Sequence, residues 1–361
     1  MVNKEIEIKL GVIGRPEDLI EILSTIGEVS NEREEQLRNV YYDTEDHVLF
    51  DKGIGLRIRK SPDFAEQTLK FRGENIGGLH SRGEYNVPVD EDIDTPNLSL
   101  FSKDIFPEDF NISQISDRLI PLCEIDFTRY SFDFKAMECV FEVAYDNGGI
   151  NLGSGLYAPI NELEIELKKS DKNEDDLDIT AIFSSLISVL AEKNLPLTLE
   201  PFSKMHRASV LLRNERSFVS FALRSQASDL NAYILDLIKS YENLYGLFLL
   251  KQDPQIFSCA AATLGTLLYS LKKLRKSGKM AFFSHERLPV NYRHDLKIII
   301  KVLTMFYEKC TKFEKVFTNS VLSGNKNKVS AAMQKLRKME SDCQVYVIPL
   351  KLRVLISMLV K

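Results

Sequence analysis

Three short stretches carry most of the chemistry that this sequence can offer. Glu5-Ile6-Glu7-Ile8-Lys9 alternates charge with isoleucine, and Glu162-Leu163-Glu164-Ile165-Glu166-Leu167-Lys168 repeats the pattern. Between them, Leu56-Arg57-Ile58-Arg59-Lys60 has the opposite sign. Side chains of a strand alternate faces with period two, so each stretch sends its charges to one face and its aliphatics to the other. Carboxylates suit Mg²⁺ or Mn²⁺, which take hard oxygen ligands, and paired arginines match phosphate oxygens in a bidentate fork. These residue types point to a site for a metal ion and a polyanion.

A single charged strand usually marks a solvated sheet face. Accumulation argues otherwise here. Lys70 follows in Thr68-Leu69-Lys70, Arg82 and Glu84 in Ser81-Arg82-Gly83-Glu84-Tyr85, Arg129 in Phe127-Thr128-Arg129, and Glu142 and Asp146 in Phe141-Glu142-Val143-Ala144-Tyr145-Asp146. Arg82 and Glu84 read equally as a structural ion pair or as ligand contacts. His47 and His80 fall in loop-like positions and read as surface residues. Gly53-Ile54-Gly55 and Gly148-Gly149 read as hairpin glycines, and without a G-K-[ST] sequence they do not make a P-loop.

The elements that must position these residues are mostly antiparallel strands. Beyond the opening strand, the spacing predicts a helix over 15–26 and strands near 33–42, 47–50, 54–60, 65–72 and 80–89. Residues 91–117 read as helical or irregular. Strands follow near 119–130, 131–136, 138–146 and 158–169, with Asp146-Asn147-Gly148-Gly149 as the loop before the last. A helix over about 173–193 leads to Pro196 and Pro201, and a short helix begins near Ser203. From about Phe218 glycine and proline thin out. Helical periodicity then runs from Leu230 to Leu244 and through 255–276, 291–318, 327–340 and 342–360, which predicts a helical bundle.

At 361 residues the chain has length for two or three domains. No apolar run is long enough for a membrane span, and the N-terminus reads as a charged strand and not as a signal peptide. Five widely spaced cysteines form no CxxC and no zinc pattern, which favours buried thiols in a reducing, cytoplasmic setting. Charge is divided unevenly. Residues 221–361 hold 23 Lys/Arg against 10 Asp/Glu, and residues 1–220 hold 24 against 42. Two halves of opposite sign have different electrostatic tasks, or dock on each other.

The ordered motifs resemble those of the CYTH, or triphosphate tunnel metalloenzyme, family. The likeness covers most of residues 3–207, including YYDTEDHVLFDKGIGLRIRK, QTLKFRGENIGGLHSRGEYNVPV and FEVAYDNGGI. The closing Ser203-Lys204-Met205-His206-Arg207 resembles the S-K-x-x-R ending of the bacterial inorganic triphosphatase subgroup. The resemblance implies an α+β chain: a closed antiparallel barrel of about eight strands enclosing a charged tunnel, followed by an all-α bundle. The implied units are 1–210 and 218–361.

By matching position, the resemblance gives Glu5 and Glu7 as ligands of the divalent cation. Glu164 and Glu166 would hold a second cation or orient the attacking water, with Glu162 a further carboxylate of that face. Arg57, Arg59, Lys70, Arg82, Arg129 and Lys204 would clamp phosphoryl oxygens, Arg82 remaining open as above. Lys9 would contact phosphate or the water, and Asp146 would join the metal shell or tether an arginine. Asn86 stands where the family usually has another acidic residue. The implied activity is metal-dependent hydrolysis of inorganic triphosphate to pyrophosphate and phosphate. Adenylate cyclase or thiamine triphosphatase chemistry on the same fold, and non-catalytic polyphosphate binding, are the alternatives. The basic C-terminal region, with Arg293-His294-Asp295-Leu296-Lys297 and Lys272-Lys273-Leu274-Arg275-Lys276, resembles a shortened CHAD domain, which implies long-chain polyphosphate as partner in preference to nucleic acid. If the tunnel alone carries the chemistry, a chain ending near Glu215 retains hydrolysis.

Overall fold

The computed structural model of the protein describes residues 4–71, 73–76, 78–108, 110–153, 155–170, 178–212, 230–277 and 290–357. Its strands are β1 (Lys4–Val12), β2 (Glu28–Asp43), β3 (Ile54–Lys60), β4 (Ala65–Phe71), β5 (Glu74–Ile76), β6 (Leu79–Pro88), β7 (Ile120–Ala136), β8 (Cys139–Asn151), β9 (Tyr157–Ser170) and β10 (Leu197–Leu199). In the order β1-β9-β8-β7-β2-β3-β4-β6 the sheet returns on itself, because Lys4–Ile8 of β1 pairs antiparallel with β6. Eight strands therefore close a barrel and leave no free edge around it. The second half of β1 pairs instead with β10, through Leu10–Val12.

The barrel is turned inside out relative to a packed core. Alternation along β1 separates Glu5, Glu7 and Lys9 from Ile8 and Leu10, and the aliphatic set joins an apolar cluster outside the tunnel. There Phe132, Phe134, Phe141, Val143, Leu163 and Ile165 of β7, β8 and β9 pack with Phe183, Leu186, Ile187 and Leu190 of α4 (Ile179–Glu192). Between β9 and β10, α4 thus covers one outer face. A second cluster joins Leu56, Ile58 and Leu69 to Leu98, Phe101, Phe106 and Phe110 of the segment before β7. Small helices α1 (Leu19–Ser24), α2 (Val48–Asp51) and α3 (Ile112–Ser116) complete this part. Helix α5 (Lys204–Leu212) sits at the tunnel end, with Ala208 buried among Leu37, Tyr41, Ile125, Phe127 and Ile160.

The C-terminal helices are α6 (Leu230–Lys251), α7 (Pro254–Ser277), α8 (Val290–Leu322), α9 (Lys326–Asp342) and α10 (Ile348–Ser357). Their apolar faces belong to the same continuous cluster as α4 and the outer barrel wall. None of the described helices is long and apolar enough to cross a membrane. The described cysteines are free thiols, all buried except the half-buried Cys259.

Several expected elements differ. The stretch 47–50 is helical, not a strand: Asp43 accepts backbone hydrogens from Thr44, Leu49 and Phe50, and Thr44 accepts that of Val48, so a capped turn outcompetes extension. Residues 120–136 form one strand where two were expected. Asn147-Gly148-Gly149 lies inside β8 and is no loop. A Cβ on Gly148 would come 2.1 Å from the Asp126 carbonyl oxygen, and one on Gly149 would strike the Tyr157 ring, so both serve close strand packing. The turn falls instead at Gly153 and Gly155, both at positive φ. The helix expected over 173–193 begins at Ile179. Its first residues, Phe218 and His285 lie outside the described residues.

Candidate active site

Strand register gathers the charged residues into rows across the barrel wall. Glu7 of β1 lies opposite Glu166 of β9, which lies opposite Glu142 of β8. One step along, Lys9 faces Glu164. In the next row Gly11 faces Glu162, Glu162 faces Asp146, and Asp146 faces Arg129. The facing wall, from β3, β4 and β6, supplies Arg57, Arg59, Lys70, Arg82 and Glu84. These side chains, with His80, Glu142 and Lys204, border a cavity of about 440 Å³.

The carboxylates are not equivalent. Asp146, Glu162 and Glu164 bring one oxygen each within 4.8 Å of one another, a spacing that suits a cation. That position is already served by protein cations. Lys9 donates to Glu162 at 2.7 Å and also to Glu164. Lys204 donates to Asp146 at 2.6 Å, to Glu164 at 3.0 Å and to Glu162. Arg129 grips Asp146 through two nitrogens, at 2.8 and 2.7 Å, and reaches Glu164 at 2.6 Å. Burial alone would raise Glu162 and Glu164, but Arg207, Lys204 and Lys9 hold Glu162 down to about 2. Lys204, Lys9 and Arg129 hold Glu164 well below the ordinary range. Burial opposes the charge on Lys9, yet Glu162, Glu164 and Glu7 raise its pKa, so Lys9 is a fixed cation at neutral pH and no base.

The other end of the carboxylate wall is short of positive charge. Arg82 bonds Glu5 at 2.7 Å and Glu7 at 2.8 Å, and Lys70 bonds Glu5 at 2.9 Å. Lys70 and Arg82 outweigh the burial of Glu5 and depress its pKa. Glu7 goes the other way: burial, with Glu5 and Glu164 beside it, pushes it up to about 7 against Arg82 and Lys9. Glu166 is also raised, chiefly by burial, despite Lys168 at 3.1 Å. Like charges directly opposite across strands cost energy unless something neutralises them. Glu7 and Glu166 are hard oxygen donors in that situation, with Glu5 beside them, and a divalent cation fits this pair better than it fits the three acids that Lys9 and Lys204 already serve.

The cationic wall shows the converse deficit. Arg59 donates to Asn39 at 2.9 Å and stands 3.8 Å from Glu66. Burial, then Arg57 and Arg129 nearby, lower its pKa to about 10. The buried Nε of Arg57 has no hydrogen-bond partner, and its nearest described carboxylate, Glu84, is 3.7 Å away. Loosely paired guanidiniums thus face carboxylates whose pKa values stay raised, a charge pattern that an anion and a cation together would suit.

Residues 3–207 match the CYTH domain family. The chain belongs to the CYTH domain family. It is 34% identical over 171 residues to an inorganic triphosphatase of Haemophilus influenzae, an overlap that covers 46% of this chain and 46% of that one. The chain thus matches about half the length of that relative. A Hippeastrum protein proposed to be an adenylyl cyclase, and described as having a dominant triphosphatase activity, is 21% identical, with a TM-score of 0.40 over 58% of this chain and 95% of the other. A Pyrococcus horikoshii OT3 protein is 16% identical, with a TM-score of 0.35 over 58% of this chain and 99% of that one.

In this CYTH chain sequence alone puts several tunnel groups elsewhere, leaves them open or gives them no role. His80 is not a surface residue. It lies buried on β6 opposite Glu7, its Nε2 without a hydrogen-bond partner, and burial with Arg82 and Lys9 keeps it neutral. The signal was available, because His80 shares its parity with Arg82 and Glu84. Arg82 and Glu84 do not bond each other: Arg82 serves Glu5 and Glu7, while Glu84 takes Lys70 at 2.8 Å. Glu142 borders the cavity and pairs with Arg33. Arg207, buried on α5, bonds Glu162. Its place three residues after Lys204 on a helix puts both on one side. His47 is half-buried and enters α2 in a left-handed conformation.

Proposed function

We propose that this CYTH chain hydrolyses inorganic triphosphate to pyrophosphate and phosphate with Mg²⁺ or Mn²⁺. The observation that carries this reading is the double imbalance in the tunnel: Glu7 and Glu166 keep raised pKa values although Arg82 and Lys168 reach them, and Arg57 and Arg59 have their nearest described carboxylates only at 3.7 and 3.8 Å. Tripolyphosphate with its counter-ion would answer both. Phosphoryl transfer asks a protein mainly for in-line positioning and for neutralisation of charge on the moving oxygens. Glu5, Glu7 and Glu166 would hold the divalent cation, which when bound offsets charge on the phosphoryl oxygens. Arg57, Arg59, Lys70 and Arg82 would fix the chain of phosphates from the opposite wall. Arg129, Lys204 and Lys9 would keep a permanent positive field at the far end, and Glu166 or Glu164 would orient the water. The 34% identity to an inorganic triphosphatase supports this choice among CYTH activities.

A product assay tests it. With tripolyphosphate and Mg²⁺, orthophosphate and pyrophosphate appear in equal amounts; with ATP, little turnover is expected. Cyclic AMP and pyrophosphate from ATP would instead favour the cyclase alternative, faster cleavage of thiamine triphosphate the thiamine triphosphatase one, and binding without turnover a sensor. Arg59→Ala is expected to raise the KM for tripolyphosphate and to lower kcat, about tenfold or more in kcat/KM, since its charge gains value as charge develops on the phosphoryl group. Unchanged kinetics would return Arg59 to a structural place beside Asn39.

For residues 218–361 we infer a CHAD-like unit that gathers long-chain polyphosphate, distinct from the catalytic unit 1–210. What supports it is the exposure of Arg293, His294 and Lys297 on α8 and of Lys272, Lys273, Arg275 and Lys276 on α7. Binding of long chains that falls steeply with added salt is the expected behaviour. The buried free thiols fit a reducing, cytoplasmic setting.

A further inference from the structure

One line of ion pairs leaves the tunnel and ends in the helical unit. Glu162, fully buried, holds Lys9, Lys204 and Arg207. Arg207 Nη1 lies 3.8 Å from Glu200 Oε2, and the same oxygen lies 3.8 Å from Nη2 of Arg337 on α9. Arg337 also donates through Nη1 to the Leu199 carbonyl at 2.6 Å. Glu340, the next residue on that face of α9, accepts the Leu199 backbone hydrogen and the Tyr245 hydroxyl, the latter at 2.6 Å. Both backbone polar groups of Leu199 are therefore held by α9, just before the segment that delivers Lys204 and Arg207. A Cβ on Gly11 would lie 2.1 Å from Arg337 Nη2. Gly11 is the cross-strand partner of Glu162, so the guanidinium rests against the barrel wall at Glu162's own row.

Losing a docking contact loosens an interface, whereas losing a positioning contact moves the group it positions. Glu200 is shared between Arg337 and Arg207. Without Arg337 its charge falls on Arg207 alone and draws that guanidinium away from Glu162. Glu162 then takes more of Lys9 and Lys204, at the expense of Glu164 and Asp146. The displaced group is Lys204, which borders the cavity. We propose that Arg337 is a positioning residue for the tunnel, setting the place of Lys204 by way of Glu200 and Arg207. The activity arm of its test rests on the triphosphatase reading; the spectroscopic arm does not.

The sign of this argument makes Glu200→Gln a rescuer. In the full chain, Arg337→Met is expected to lower kcat/KM for tripolyphosphate about tenfold, the scale on which supporting residues of a charged site act. Arg337→Met with Glu200→Gln is expected to recover most of that loss, because the competing charge on Arg207 is gone. The Nε–H resonance of Arg207 should move in the single variant and return in the double. Gln344→Ala, which removes the hydrogen bond from the helical unit to the Ala191 carbonyl (2.7 Å), serves as a docking control and should leave both readouts unchanged. Wild-type kinetics in Arg337→Met, or an equal loss in single and double variants, would overturn the proposal. Should the wild type not turn over tripolyphosphate, the triphosphatase reading fails by itself. The Arg207 resonance then decides: shifted and restored supports the relay, unmoved overturns it. If Arg337→Met does not fold, Gly11→Ala displaces the same guanidinium with every charge kept, and the same results support or overturn the proposal.

Discussion

Glu7→Gln should reduce metal-dependent hydrolysis of tripolyphosphate by at least about 100-fold, the scale of losing one electrostatic contact at a developing charge, while raising the stability of the metal-free protein. The two effects have one cause. Glu7 is buried beside Glu5 and Glu164 and opposite Glu166, with Arg82 donating a hydrogen bond to it at 2.8 Å. Its pKa stands at about 7 against an ordinary 4.5. Between those values the native protein keeps a proton that the unfolded chain has released, so stability falls as pH rises from about 4.5 to 7. Above pH 7 the full cost is present, up to about 3 kcal/mol by the size of the shift. Glutamine keeps an acceptor for Arg82 and has no charge to repel.

Without metal, the variant should therefore melt above the wild type at pH 8, and the gap should close by about pH 4.5. Adding Mg²⁺ should raise the melting temperature of the wild type by mass action and that of the variant much less. Near-normal turnover at saturating Mg²⁺ would remove Glu7 from the metal site. A variant less stable than the wild type at pH 8 would show that the repulsion around Glu7 is already compensated. Calorimetry at the two pH values separates the results.

The tunnel is legible in sequence because of the period of a strand. Glu5, Glu7 and Lys9 share parity, as do Arg57 and Arg59, and Glu162, Glu164 and Glu166. A closed barrel with a charged lumen is an arrangement in which all of these faces become interior. Parity does not reveal partners. Nothing local distinguishes Glu164, held by three cations, from Glu7, held by one guanidinium, because the difference lies in register between β1, β9 and β8 and in the arrival of Lys204 from α5. His80 escapes a sequence reading for a related reason: the glycine pair Gly77-Gly78 just upstream suggests a loop, whereas His80 is the second residue of a strand whose parity already points inward. Residues 47–50 look extended because Val48, Leu49 and Phe50 are apolar, but the caps that bend them, Asp43 and Thr44, lie before the apolar run. Gly148-Gly149 has the composition of a turn, and only the neighbouring Asp126 backbone and Tyr157 ring explain its place within a strand.

Removing the helical unit should cost the barrel its fold or much of its activity, contrary to the expectation from sequence that a chain ending near Glu215 retains hydrolysis. Every assigned site residue does precede that point. The apolar cluster does not respect it: Leu197, Leu199 and Phe202 beside the tunnel share one continuous core with Leu244, Phe248, Leu336, Val345 and Tyr346. The Phe202 ring packs so closely on α6 that a Cβ on Gly246 would lie 2.9 Å from it. Baring several side chains of this kind costs about 1.5–3 kcal/mol each, and a handful exhausts the roughly 5–15 kcal/mol that holds a domain together. Leu199 would also lose the partners of both its backbone groups, Arg337 and Glu340. The truncated chain is thus expected to aggregate, or to melt far below the intact protein and without a sharp transition. A soluble fragment with a cooperative melt and full kcat would show that the barrel is complete without its helices, and would confine their role to whatever long polyanion they bind.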